Sequence, residues 1–359
     1  MFCGRASSSG DQPFFVPLSG RWRPPFTTAH SFMLQCESTR SSVYLNRNYR
    51  SLAVPKRPHW EYAMRHLKLL QQVSEIAKAG SIRQAAERMN ITASAMNRKI
   101  QDLESEIGTP IFERRARGVK LTTAGEMFVR YARSQIADAE RLSSQVEDLR
   151  GLRRGPVKIA CSQALALDFL PSQIGDFRKD NPRLVFDLKV MDHGAAIAAL
   201  IEYDVDLALV YRAVMRPAVR ILTSVPQRLV AIMRDDHPLA AKQMLRLSDC
   251  VGYPLALPDQ SLGGRQVLDE VIARRDFRFD IMAESNSFEM LRGLALRGNM
   301  ISFQIEAGAP REDFGMGIIG RAIDERDIPR SDLVLCQLRG RVLPIAAASF
   351  ADRLIRAMK

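Results

Sequence analysis

From Met64 to Arg154 the apolar residues recur at steps of three and four, and a stretch with that period can only bury them by folding as amphipathic helices packed on one another. Leu67, Leu70, Val73, Ile76 and Ala77 predict a first helix over 65–78. Ser81, with Gln84 three residues on, forms a capping-box signature for a second helix whose inner face is Ala85, Ala86 and Met89. Asn90 stands at the sharp turn after it, where the left-handed backbone is needed and asparagine tolerates it, and Ile91 plugs the turn. A third helix over 93–107 buries Met96, Ile100, Leu103 and Ile107 and leaves Ser94, Asn97, Arg98 and Gln101 facing outward. Three helices in this order are a helix-turn-helix, and the exposed start of the third fits a DNA major groove. Ser94, Asn97 and Arg98 are therefore the expected base readers, asparagine suiting adenine and arginine guanine, with Ser81, Thr92 and Lys99 as flanking contacts. On an isolated helix the same residues would be read as a solvated face.

The residues beyond the third helix support a DNA-binding role. After Gly108 and Pro110, the run Ile111 to Leu121 has apolar roots and a cationic tip, as a short hairpin wing would, and places Arg114, Arg115, Arg117 and Lys120 on phosphate or in the minor groove. Thr123 and Glu126 then open a long helix reaching about Arg150, with Phe128, Ala132, Ile136, Ala139, Leu142, Val146 and Leu149 forming a narrow seam. Such a seam serves either packing on its own wing domain or, as its length favours, pairing with a second copy.

Composition narrows the class without naming it. A chain of 359 residues predicts two or three compact units, and a net charge of +12 with pI near 9.8 suits a polyanionic partner. Part of that charge lies in residues 1–63, which are rich in Ser, Arg and Pro and lack a period, so they read as a disordered extension. Either translation starts at Met64 or these residues form a basic arm that adds non-specific DNA affinity. Five scattered cysteines show no metal-ligand spacing, and no apolar run reaches the roughly 18 to 20 residues of a membrane span. A reduced cytoplasm, no membrane, no metal and no cofactor are the expectations. No GxSxG, P-loop or GxGxxG after a strand signals an enzyme.

Past a basic hinge at 151–156 the pattern turns to alternating strands and helices. Val157–Ala160, 163–179, Leu184–Val190, 195–202 and Leu207–Val210 read as a parallel βαβαβ unit. A second set takes in Leu229–Met233, Leu255–Leu257, a helix at 264–274 and another from Ser287 to Arg297. Two such units commonly enclose a ligand where strand ends meet helix N-termini. The polar residues at those places are Ser162, Gln163, Asp192, His193, Tyr211, Arg212, Gln260, Ser261, Asn286 and Ser287, although helix caps and loop hydrogen bonds also select such residues. Arg212 is suited to pairing with a carboxylate effector. Cys161 beside this pocket reads as a small apolar residue rather than a redox sensor.

Several of these stretches resemble the LysR-type family of bacterial transcriptional regulators: Ser81–Arg88 with Ala85-Ala86, Ile100–Glu104, Gly108–Arg114 and Leu121–Glu126. Asn97 departs from the family, which usually has Ser there. Over residues 64 to 359 the resemblance implies a winged helix-turn-helix (64–121), a dimerising linker helix (122–150), a hinge (151–156) and an effector-binding domain (157–359). It also implies two lobes like those of periplasmic solute-binding proteins, about 157–222 with 325–359 and about 223–324, with Leu333–Lys359 returning to the first. His237–Ala240 and a closing helix over Ala346–Leu354 echo the family, and the residue matching Ser162 commonly touches effector there. The implied partners are promoter DNA, a small-molecule effector, further copies of the chain in a dimer or tetramer, and RNA polymerase. A transport system's solute-binding protein and an unresponsive architectural DNA-binding protein are the alternatives.

Overall fold

The computed structural model describes residues 65–149, 155–212, 216–275, 277–310 and 317–359. The N-terminal extension and hinge residues 151–154 lie outside them. Helices α1 (Arg65–Ala79), α2 (Ile82–Arg88) and α3 (Ala93–Ile107) keep the expected order. Ser81 Oγ accepts the Gln84 amide at the start of α2, and Thr92 Oγ1 accepts that of Ala95 at the start of α3. Asn90 takes the left-handed turn at φ +55°. Val73, Ile76, Ala85, Ala86, Met96, Ile100 and Leu103 share one core. Ile107 does not join it: the helix ends at Gly108, and the side chain is left 42% exposed beyond the core.

Strands β1 (Phe112–Arg115) and β2 (Gly118–Leu121) form the antiparallel wing. Glu104 on α3 holds its root, its carboxylate accepting the amides of Ile111 at 2.7 Å and Phe112 at 2.9 Å. On the other side, Val119 donates its amide to the Gly80 carbonyl at 2.8 Å, and a Cβ on Gly118, whose φ is +105°, would clash with that same carbonyl oxygen. The wing is thereby fixed to both α3 and the α1–α2 turn.

Helix α4 (Thr123–Leu149) is capped by Thr122, one residue before the expected Thr123: Thr122 Oγ1 accepts the Gly125 amide and donates to the Pro110 carbonyl. The expected seam is divided. Leu67 and Leu70 of α1 cover Phe128, Ala132, Ile136 and Ala139 within the same chain, whereas Leu142 and Val146 stay 47% and 42% exposed. The Leu149 side chain lies outside the described residues. The uncovered apolar face is completed by Met127 and Tyr131, and at 100° per residue these four residues lie within an arc of about 100°.

The C-terminal half keeps the predicted alternation, with differences at its edges. Strand β3 (Pro156–Cys161) leads through a single 3₁₀ turn (Gln163–Leu165) to α5 (Phe169–Asp180), where the pattern predicts one helix over 163–179. β4 (Val185–Val190), α6 (His193–Ile201) and β5 (Leu207–Tyr211) complete the parallel unit. β6 (Val219–Gln227) belongs to the same sheet, so the crossover falls at Arg228 rather than near residue 222. The chain then builds a second sheet from β7 (Leu229–Arg234) and β8 (Met244–Leu245), and a parallel pair from β9 (Pro254–Pro258), followed by α7 (Gly263–Ile272), and β10 (Asp280–Ser285). Helix α8 (Phe288–Gly298) precedes β11 (Ser302–Ile305) and β12 (Ile318–Ile323), which flank β7. β13 (Ser331–Leu338) then re-enters the first sheet, whose order becomes β4-β3-β5-β13-β6. The closing α9 (Ile345–Ala357) buries Ala347, Phe350, Ala351 and Leu354, and Phe350 meets the rings of Phe177 and Phe186 at centroid distances of 5.1 and 5.0 Å.

Candidate nucleic-acid interface and ligand cleft

Helix α3 and the wing place the predicted DNA contacts on one module. Ser94, Arg98, Lys99, Arg117 and Lys120 are exposed, and among the described residues no protein partner is found for the four cations. Ser81 and Thr92 cap helices, and Ser94 Oγ donates to Thr92 Oγ1 at 3.3 Å, so these hydroxyls first serve the helix starts. Arg115 is held by Glu113 at 2.6 Å, and Arg114 Nη2 donates to Asn97 Oδ1 at 3.0 Å. Two cations of the expected tip are thus tied within the protein rather than pointing freely outward.

In the C-terminal half, a cleft at the ends of β3 and β5 brings together Ser162, Gln163, Asp192, His193, Tyr211 and Ser261, with the backbone of Gly263 and Gly264 at the start of α7. Gln163 Oε1 accepts the Phe288 amide across it at 3.2 Å, and Tyr211 donates its amide to Ser162 Oγ. Its volume is about 30 Å³, room for one or two waters. The other four predicted contacts do not line it. Arg212, at φ +53°, turns to Glu270 at 2.9 Å, so the guanidinium expected to meet a carboxylate effector already has a carboxylate partner. Gln260 donates to Asp269, Ser287 caps α8, and Asn286 is exposed. Asp192 also caps, accepting the Ala195 amide at the start of α6. Burial pushes the Cys161 thiol up to about 11, so its thiolate is disfavoured.

Sequence reasoning missed the polar bonds that close the two lobes on each other. Arg292, 8% exposed on α8, pairs with Asp168 at 3.0 Å and donates to the Gly308 carbonyl, and Gln304 Nε2 donates to the Ala164 carbonyl at 3.1 Å. Behind these contacts lies a larger cavity of about 540 Å³ lined by Asp168, Phe169, Gln173, Gln227, Glu306 and Leu333 among others, none of them a predicted contact. Also unforeseen were the bonds between the sensor half and the helical head: Lys78–Asp204 at 3.5 Å, Arg133–Glu202 at 3.4 Å and Lys158–Glu140 at 2.9 Å. Each joins residues far apart in the chain, and no local pattern marks such pairs.

A winged helix-turn-helix joined by a long helix to an α/β unit of two larger sheets and a parallel strand pair, with a polar cleft, defines a ligand-responsive DNA-binding regulator. Residues 67–126 match the bacterial regulatory helix-turn-helix model of the lysR family, and residues 150–359 match the LysR substrate-binding domain. The chain belongs to the LysR family of transcriptional regulators. Among its relatives, the HTH-type transcriptional regulator YbhD of Escherichia coli is 28% identical over 282 residues, covering 78% of this chain and 88% of the relative. A probable RuBisCO transcriptional regulator of Trichormus variabilis is 25% identical, covering 70% and 76%. The fold also matches a full-length OxyR variant from Pseudomonas aeruginosa at a TM-score of 0.60 and 19% identity, over 80% of this chain and 94% of that one. No helix among the described residues is long and apolar enough to cross a membrane.

Proposed function

We propose that this LysR-family chain binds promoter DNA as a homodimer or homotetramer in the cytoplasm, and that a small organic acid entering between its lobes changes how the DNA-binding heads are presented. It acts by binding and not by catalysis. The face of α4 carrying Met127, Tyr131, Leu142 and Val146 supports pairing with a second copy, because a helix is rarely left with such a stripe in water.

The observation that carries the responsive part of this reading is the placement of α6. Its N-terminus, with Asp192 and His193, lines the cleft, and the turn after its C-terminus, with Glu202 and Asp204, is ion-paired to Arg133 and Lys78 of the head. A nine-residue helix about 14 Å long therefore joins the ligand cleft to the DNA-binding module. The cleft has no room for a metabolite until the Gln163–Phe288, Arg292–Asp168 and Arg212–Glu270 contacts rearrange, so an effector that fits only the opened form shifts the equilibrium by its differential affinity.

Footprinting on the DNA upstream of the chain's own gene, with and without a panel of mono- and dicarboxylic acids, tests this. One acid should alter the footprint, and that change should be lost in a Glu202→Lys/Asp204→Lys variant that still binds. A response equally strong in the variant contradicts the α6 route. The 540 Å³ cavity supports a second reading, since its size suits a small ligand as it stands. Filling each site decides between them: Ser162→Leu abolishes the response if the cleft is used, and Ser172→Trp, on the cavity wall, does so if the cavity is.

A further inference from the structure

Strand alternation explains where the wing points Arg114. Phe112 is buried toward the helical core, and residues two apart on a strand share a face, so Arg114 is turned back toward α3 while Glu113 and Arg115 pair with each other on the other face. There Arg114 Nη2 meets Asn97 Oδ1, a bond between residues 17 positions apart that joins the outward face of α3 to the wing. Arg98, Lys99, Arg117 and Lys120, by contrast, project without a protein partner among the described residues. The cations of this surface therefore fall into three groups: four free ones available to phosphate or base, Arg115 paired with Glu113, and Arg114, whose direction is set by a neighbouring carboxamide.

We propose that Asn97 is a positioning residue that holds Arg114 at the junction of α3 and the wing, making Arg114 a reader of a guanine edge rather than a phosphate contact. The inference rests on the DNA-reading assignment of α3. A guanidinium has five N–H donors, and one bond to Asn97 leaves a fork free for guanine O6 and N7. Holding Arg114 also engages the Asn97 carboxamide oxygen, which a bidentate contact to adenine would need. Asn97 thus contributes to base choice through Arg114. Released from Asn97, the same guanidinium becomes a mobile cation free to take the nearest phosphate.

The test uses the full chain, a preferred duplex selected from a randomised pool, and all its single-base variants, titrated between about 50 and 200 mM salt. Asn97→Ala and Arg114→Ala should each lose the same one guanine preference, by roughly 5- to 150-fold. The double variant should lose no more than either single one. Asn97→Ala should also steepen the dependence of log affinity on log salt by about 0.9, as the freed Arg114 takes a phosphate. Asn97→Asp, which keeps an acceptor for Arg114, should retain the preference, and this separates positioning from damage to the helix. Arg114→Lys should keep the affinity for unrelated DNA and weaken the preference, because an ammonium keeps the charge and lacks the fork. A wild-type chain that selects no sequence overturns the DNA-reading assignment itself. A wild-type chain that selects one, while Asn97→Ala keeps every base preference or adds its loss to that of Arg114→Ala, overturns this inference alone.

Discussion

Asp206 is 2% exposed where β5 begins, and its replacement by Ala should be among the most destabilising single changes outside the helical head. One carboxylate oxygen takes Arg341 Nη2 at 2.6 Å, and the other takes the backbone amide of Lys158 at 3.0 Å. The Arg341 side chain is only 5% exposed, donates to the Val205 carbonyl and lies over the Tyr203 ring at 5.3 Å, so it is held away from water when its partner is removed. Breaking a buried pair from one side costs about 3–5 kcal/mol, because a charge is left without compensation. For a domain of this size, about 2–4 °C of melting temperature accompany each kcal/mol, so Asp206→Ala should lower Tm by about 6–20 °C. Differential scanning calorimetry measures it. Removing both charges together, in Asp206→Ala/Arg341→Met, should recover most of the loss, since replacing a buried pair by apolar groups is often close to neutral. A single variant melting within about 2 °C of wild type, or a double variant worse than the single, would refute the idea that uncompensated charge sets the cost.

The geometry carries three further expected outcomes. A Cβ on Gly125 would overlap the Ile111 carbonyl oxygen, so Gly125→Ala should force α4 off the wing root, destabilise the head by about 1–3 kcal/mol and weaken DNA binding, as calorimetry and gel shift would detect. Arg98→Ala should cost roughly 5- to 150-fold in affinity for the preferred duplex if Arg98 meets a guanine, and much less for unrelated DNA, as competition binding would show. The Arg246 guanidinium hydrogen-bonded to Asp327 holds that carboxyl well below its ordinary range, and Arg326 lowers Asp324 to about 2. Because both folded values lie below the unfolded one near 3.9, their stabilisation is complete above about pH 4 and is lost as pH falls toward 2. Urea unfolding of Asp327→Asn across about pH 2 to 5 should therefore show a shallower acid slope than wild type.

Local chemistry made the helical head legible. Ser81, Asn90 and the α3 core positions are set by caps, backbone conformation and helical period, which depend on neighbours in sequence. The α4 seam was only half legible, because one spacing serves equally for packing on α1 and for pairing with another chain, and Leu67 and Leu70 take the first half. Strand β6 was missed because Arg220, Thr223, Ser224 and Pro226 interrupt any clean apolar alternation, and its place is fixed by β13, which arrives roughly a hundred residues later. The cleft residues divide along the same line. Ser162 and Gln163 owe their place in the cleft to their position at a strand end, whereas the Arg212 guanidinium lies outside its lining because Glu270, on a distant helix, pairs with it. Asp192 and Ser287 make the helix-capping bonds that the same residue types serve elsewhere, and only Asp192 also faces the cleft.

A regulator of this build works only if α3 enters a duplex groove and discriminates bases there. The deciding quantity is the ratio of affinities of the purified chain for its selected duplex and for unrelated DNA at physiological salt. That ratio should be at least about 10³ and should fall sharply in Arg98→Ala. A ratio near one, or one that Arg98→Ala leaves unchanged, would contradict base reading by α3.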